Sequence, residues 1–241
     1  MTTLLLAFMQ VSLSAAAPPL SVTEIVDHMV QAENARTSAF SGYTGMRRYH
    51  FENKKFGKRA EVTVRMICDQ TGAKSFEVLT ESGSGFVRSR IIRRMIDAEH
   101  QASAKGDHEQ TRILPENYQF SLLGTEVAEG RPAYVMQIVP KSNNQFMVRG
   151  RIWVDAEDFA ITRVEGSPAK NPSFWIHSVK VVQRYDRFGK FWLPVNNESR
   201  ADARIFGATD VDIEYFDYLI DEAHTKVGAV SANEPGPGTA Q

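Results

Sequence analysis

Lys58-Arg-Ala-Glu-Val-Thr-Val-Arg-Met-Ile-Cys-Asp69 is the stretch on which the fold turns. Ala60, Val62, Val64, Met66 and Cys68 alternate with Arg59, Glu61, Thr63 and Arg65. A period of two puts one set of side chains on an apolar face and the other in water, the pattern of a half-buried β-strand. Such a strand needs neighbours, and Phe40–Phe51 and Ser75–Thr80 flank it across turn-forming segments at Lys54–Gly57 and Gln70–Gly72. Cys68 lies on the apolar face and reads as a small core hydrophobe. It is the only cysteine, which excludes an internal disulfide, a cysteine zinc cluster and an iron–sulfur site.

Working outward, Ser21-Val22-Thr23-Glu24 has the spacing of a capping box and opens a helix over about Thr23–Thr37, with Ile25, Met29 and Ala32 on one row. Downstream, Phe86 to about Ala104 repeats with a helical period. Val87, Ile91, Met95, Ala98 and Ala102 form its stripe, widened by Ile92. Arg90, Arg93 and Arg94 fall on the opposite arc, and Arg88 points into the stripe. After a polar loop the chain reads as strand throughout: Tyr118–Ala128, Pro132–Pro140, Gln145–Asp155, Phe159–Gly166, Phe174–Asp186, Phe191–Arg204 and Asp210–Asp221. The short connections between them predict antiparallel neighbours.

The expected class is α+β, mainly antiparallel: a curved meander of about ten to eleven strands forming an incomplete barrel closed by two helices. Val211, Ile213, Tyr215 and Leu219 are expected on one face, as are Trp175, Val179, Val181 and Tyr185. The inserted helix must pack its stripe on that face, so any ligand bound there would compete with it.

The ends differ in character. Leu4–Leu13 is a short apolar run followed by Ser14-Ala15-Ala16-Ala17, which predicts a signal peptide within residues 1–17, with cleavage after Ala16. Residues 18–226 would form the folded domain, and the Pro/Gly-rich residues 227–241 a disordered tail. No cysteine follows the leader to carry a lipid, and no later run is long enough to span a bilayer, so the expected protein is exported and soluble with no stable membrane anchor. Lys and Arg total 28 against 29 Asp and Glu, a balance that argues against nucleic-acid binding.

A search for catalytic or metal-binding chemistry returns almost nothing. No nucleophile elbow, phosphate loop or zinc helix occurs. His100 and His108, near Glu99, Asp107 and Glu109, read as a solvated surface, and Asp155, Glu157 and Asp158 as a hairpin turn. His177 is placed beside Trp175 and Val179 on an apolar face and reads as a hydrogen-bonded structural histidine. The expectation is a non-enzyme with no cofactor and no metal.

RGRIWVDAEDFAITRVEGSPAKNPSFW, Arg149–Trp175, resembles the central hairpin of outer-membrane lipoprotein-sorting proteins. The order of leader, capped helix, three strands, inserted helix and β-meander is similar to that of the LolA-like family over roughly Leu20–Ile220. The resemblance implies a periplasmic half-barrel that holds the acyl chains of a lipoprotein or another lipid. It also implies possible partners among inner- or outer-membrane envelope proteins. Candidate cavity and lid residues are then Val62, Val64, Met66, Val87, Ile91, Met95, Val179, Val181, Val211 and Ile213, with Arg90, Arg93 and Arg94 as headgroup contacts. The alternative is an envelope regulator or scaffold of the RseB type that senses lipid, and behind it a hydrolase.

If the leader is read correctly, native protein recovered from cells begins at Ala17, as N-terminal sequencing would show. A cytosolic chain still starting at Met1 would contradict it.

Overall fold

The computed structural model describes residues 20–104, 111–171, 176–204 and 207–220; the expected leader and tail lie outside them. Helix α1 spans Val22–Ser38. Its capping box forms as expected: Ser21 Oγ accepts from the Glu24 amide at 3.3 Å, and the Ser21 amide donates to Glu24 Oε2 at 2.8 Å. Strands β1 (Gly42–Asn53), β2 (Lys58–Asp69) and β3 (Lys74–Gly83) follow. Next comes one helical segment, α2, built of an α turn (Gly85–Val87), a π turn (Arg88–Ile92) and an α-helix (Arg93–Ala104). The remaining strands are β4 (Tyr118–Ala128), β5 (Arg131–Pro140), β6 (Val148–Asp155), β7 (Ile161–Pro168), β8 (Ile176–Phe188), β9 (Phe191–Ala203) and β10 (Gly207–Ile220).

All ten strands form one antiparallel sheet in the order β3-β2-β1-β10-β9-β8-β7-β6-β5-β4. The curved sheet stays open, with β3 and β4 as its edges, and two helices pack on its inner face: the half-barrel that the resemblance implies. One expectation is corrected. The strands do not form a single meander in chain order, because β1 pairs with β10 and β3 does not pair with β4. The inserted segment is therefore a crossover that carries the chain from one edge of the sheet to the other.

Register shows that both helices lie on the same face. Val62, Tyr49, Ile213, Asn197, Gln183, Val164, Ile152 and Met136 are successive cross-strand partners from β2 to β5, and directly opposed residues point to one side. At one end of this row α1 buries Ile25, Val26 and Met29 against Met136, Ile138, Ile152 and Val154. At the other end α2 buries Val87, Ile92 and Ile96 against Tyr49, Phe51, Val62, Val64 and Ile213. Between the helices the row turns polar. Asn197 donates to Gln183 Oε1 at 2.8 Å, and Ser199 donates to Asn197 Oδ1 at 2.9 Å.

Two bulges displace residues from their expected faces. Asp217 adopts a positive φ of 52° where the β1–β10 register shifts, so Tyr218 turns inward and Leu219 is left 71% exposed. A shift between Ile176 and Ser178 turns His177 out to solvent and keeps Ile176 and Val179 half-buried. In the hairpin that carried the resemblance, Gly150 faces Gly166, and a Cβ on Gly150 would lie 2.0 Å from the Glu165 carbonyl oxygen. Only glycine fits there. Asp155 is a turn residue, as read: its Oδ1 accepts from the amides of Glu157 and Asp158, and Arg131 pairs with its carboxylate. Among the described residues no helix is long and apolar enough to cross a membrane.

The register sets a stability test. Val62 has no exposed surface, whereas Arg65 points outward and pairs with Glu77 at 2.6 Å. Val62→Asp should cost about 3–5 kcal/mol in urea denaturation, because its carboxylate has no buried partner. Arg65→Gln should cost less than about 1 kcal/mol. The reverse order would mean that the strand faces are inverted.

Candidate functional site

The π turn decides what α2 presents to the sheet. An α-helical stripe starting at Val87 would continue through Ile91, Met95, Ala98 and Ala102. One extra residue in the turn instead sends the buried stripe through Val87, Ile92 and Ile96. Ala98 is exposed, and Ile91 and Met95 are half-buried beside the stripe. The same rotation takes Arg88 out of the stripe, where it pairs with Glu81 at 2.7 Å.

The C-terminal half of α2 is clasped to the sheet by a charge pair that the sequence reading did not find. Arg47, on the inner face of β1 opposite Val64 and Tyr215, is 2% exposed. Its guanidinium donates to both carboxylate oxygens of Glu99 on α2, at 2.5 and 2.9 Å, and to Tyr49 Oη at 3.3 Å. It lies 5.2 Å from the Phe76 ring centroid and 4.7 Å from that of Tyr215. Lys74 Nζ donates to Glu99 at 2.7 Å, and the Lys74 amide donates to Ser103 Oγ at 3.0 Å. Burial pushes the Glu99 carboxyl up, but the Arg47 hydrogen bonds and the Lys74 charge outweigh it and hold the group at about 2. The signal in the sequence was an arginine on the inner face of a strand otherwise alternating Tyr43, Gly45, Tyr49 and Phe51.

Near the N-terminal end of α2 lies a cavity of about 890 Å³, toward the upper limit for ligand pockets. Its helix wall is Phe86, Val87, Arg90, Ile91 and Arg94, and its sheet wall includes Phe51, Ile176, Ala201, Ala203 and Val211. Lys58, Asn53, Thr209 and Phe56 complete it. Phe86 and Phe56 are 64% and 50% exposed, an unusual state for side chains of that size.

Of the residues expected to line a cavity, Val87, Ile91 and Val211 do so. Val62, Val64, Met66 and Ile213 are buried in the core beneath the helix and the neighbouring strands, and Met95 packs beside them. Val179 and Val181 lie half-buried on β8, between the two helices. Of the headgroup candidates, Arg90 and Arg94 face the cavity while Arg93 pairs with Glu81 at 2.9 Å. The sequence reading missed Phe51, Phe56, Phe86, Lys58 and the small residues Ala201 and Ala203. Among the described residues no cluster of His, Cys, Asp and Glu could hold a metal. Cys68 is buried, and burial pushes its thiol up, away from reactivity.

Comparison with known proteins adds a partial match. Residues 115–219 match a family model described as a family of unknown function (DUF5686). No curated protein matches the sequence. Among solved structures, a DUF1329 family protein from Desulfovibrio piger is 12% identical, with 83% of this chain and 93% of that one covered and a TM-score of 0.43. A putative outer membrane lipoprotein-sorting protein domain from Vibrio parahaemolyticus is 11% identical over the same shares, at a TM-score of 0.41. A LolA superfamily protein from Nitrosomonas europaea is 10% identical, covering 85% and 96%, at a TM-score of 0.38.

The clasp makes its own prediction. Glu99→Gln leaves the Arg47 charge buried without its counter-ion and should lower stability by about 3 kcal/mol at neutral pH. The Glu99 carboxyl is depressed in the folded chain, so its contribution is complete above its ordinary value of 4.5 and falls as pH drops toward 2. Wild type and variant should therefore converge in acid, as paired denaturation curves at pH 7 and pH 3 would show. A constant gap would mean that Glu99 acts through packing and not charge.

Proposed function

We propose that this protein binds acyl chains in the cavity between α2 and strands β8–β10, as a periplasmic carrier of lipoproteins or related lipids. The observation that supports it most directly is the cavity itself: large, walled mainly by apolar side chains, and flanked by two exposed phenylalanines. Burying methylenes contributes about 0.8 kcal/mol each, so a dozen would contribute about 10 kcal/mol before ordering costs, which offsets the same burial lost when an acyl anchor leaves a membrane. Ile91 and Phe86 give an adaptable wall on a helix that a π turn and a charge clasp hold in place. The described residues lining the cavity include no carboxylate, histidine, serine or cysteine, which favours binding over catalysis.

The cavity lies beside the buried stripe of α2 and not beneath it. On this reading a bound chain adds contacts to Phe86 and Ile91 while Ile92 and Ile96 stay packed, whereas the sequence alone led to an expectation of competition between ligand and helix. A palmitoylated lipopeptide should bind at micromolar or better affinity by calorimetry and slow hydrogen exchange over residues 85–95. Ile91→Ala should weaken that binding several-fold while costing only about 1–2 kcal/mol of stability, since the side chain is half-buried. Absence of binding, with exchange unchanged, would overturn the reading.

A further inference from the structure

We infer that the amphiphile this cavity takes carries an anionic, phosphate-type headgroup held by Arg90, Arg94 and Lys58; the inference rests on the acyl-chain reading above. Arg90 and Arg94 are one helical turn apart and both line the cavity. Their neighbours Arg88 and Arg93 are both held by Glu81, on the far side of the helix from the cavity. No carboxylate among the described residues pairs with Arg90, Arg94 or Lys58. Lys58 comes from the first position of β2, so the positive groups reach the cavity from two separate elements.

Like charges at i and i+4 weaken a helix, and Glu81 pairs with Arg88 and Arg93, a residue or two away, but not with Arg90 or Arg94. With no carboxylate of the described residues paired to Arg90 or Arg94, their mutual repulsion beside the apolar cavity is one that a bound anion would relieve. Guanidinium groups bind phosphate oxygens through paired, charge-assisted hydrogen bonds. The exposed Phe86 and Phe56 stand beside these cations, so apolar and positive surface adjoin along the same rim, the match for an acyl chain joined to an anion.

The test compares palmitoyl lysophosphatidylglycerol, palmitoyl lysophosphatidylcholine and glycerol 3-phosphate by calorimetry, with lipids below their micellar concentrations and the mature chain as protein. At low salt the anionic lipid should bind at least tenfold more tightly than the zwitterionic one, and the advantage should shrink in 0.5 M salt. The double variant Arg90→Gln/Arg94→Gln, its fold checked by circular dichroism, should bring the anionic lipid down to the affinity of the zwitterionic one. Arg93→Gln should keep the preference. Equal binding of both lipids to wild type, or a preference that survives the double variant, would overturn the headgroup assignment and leave acyl-chain binding standing. Glycerol 3-phosphate binding as tightly as the anionic lipid would make this a free-phosphate site and overturn the lipid assignment. If neither lipid binds, the acyl-chain reading fails as well.

Discussion

An antiparallel sheet of ten strands with one apolar face cannot stand in water until that face is covered, and most of this structure follows from how the covering is done. One helix precedes the sheet and one is inserted into it. Since the insertion connects the two edge strands, its chain has to cross the sheet, and α2, about 30 Å long at 1.5 Å per residue, covers one end of that path. Two helices do not cover ten strands. The middle of the inner face, over β8 and β9, lies between them and carries the hydrogen-bonded row of Gln183, Asn197 and Ser199. A polar row there is compatible with wetting and marks the boundary of the apolar cavity next to it.

The Arg47–Glu99 pair has to be weighed against what an apolar pair would do in its place. Removing a guanidinium from water is expensive, and replacing both partners of a buried pair with hydrophobes is often neutral or stabilising. What the charges add is geometry. Two hydrogen bonds of 2.5 and 2.9 Å to a planar donor, flanked by Phe76 and Tyr215, fix the rotation and height of α2 on the sheet more narrowly than aliphatic packing would. Fixing the C-terminal half of α2 in this way holds its rotation, so that Val87 and Ile92 stay packed on the sheet while Phe86, Arg90, Ile91 and Arg94 face the cavity beside them.

The elements were largely legible in the sequence, because period-two alternation and capping chemistry are local. β2 and β4 match their expected bounds, and the capping box of α1 formed as read. What was not legible depended on contacts remote in sequence or on the insertion of single residues. Nothing local in Gly42–Asn53 states that its partner is Gly207–Ile220, since many alternating strands present the same edge. Bulges moved Leu219 and His177 off their expected faces because an inserted residue reverses the alternation after it. Arg47 was passed over because a strand arginine ordinarily reads as solvent-facing, and its counter-ion is 52 residues away.

The π turn shows how one such residue bears on function. In a regular α-helix from Val87 onward, the side chains that hold α2 to the sheet and those available to a ligand would share a single stripe, and binding would have to displace packing. The extra residue between Val87 and Ile92 divides the two roles. Val87, Ile92 and Ile96 stay in the core, while Phe86, Arg90, Ile91 and Arg94 turn together to the cavity wall. Val87 alone belongs to both sets, at the point where they diverge. Because Glu99 lies on the regular helix beyond the turn, the clasp acts on the same helical segment that carries the cavity wall. A site built this way lets the contacts of the cavity wall change while the anchorage of α2 on the sheet stays in place.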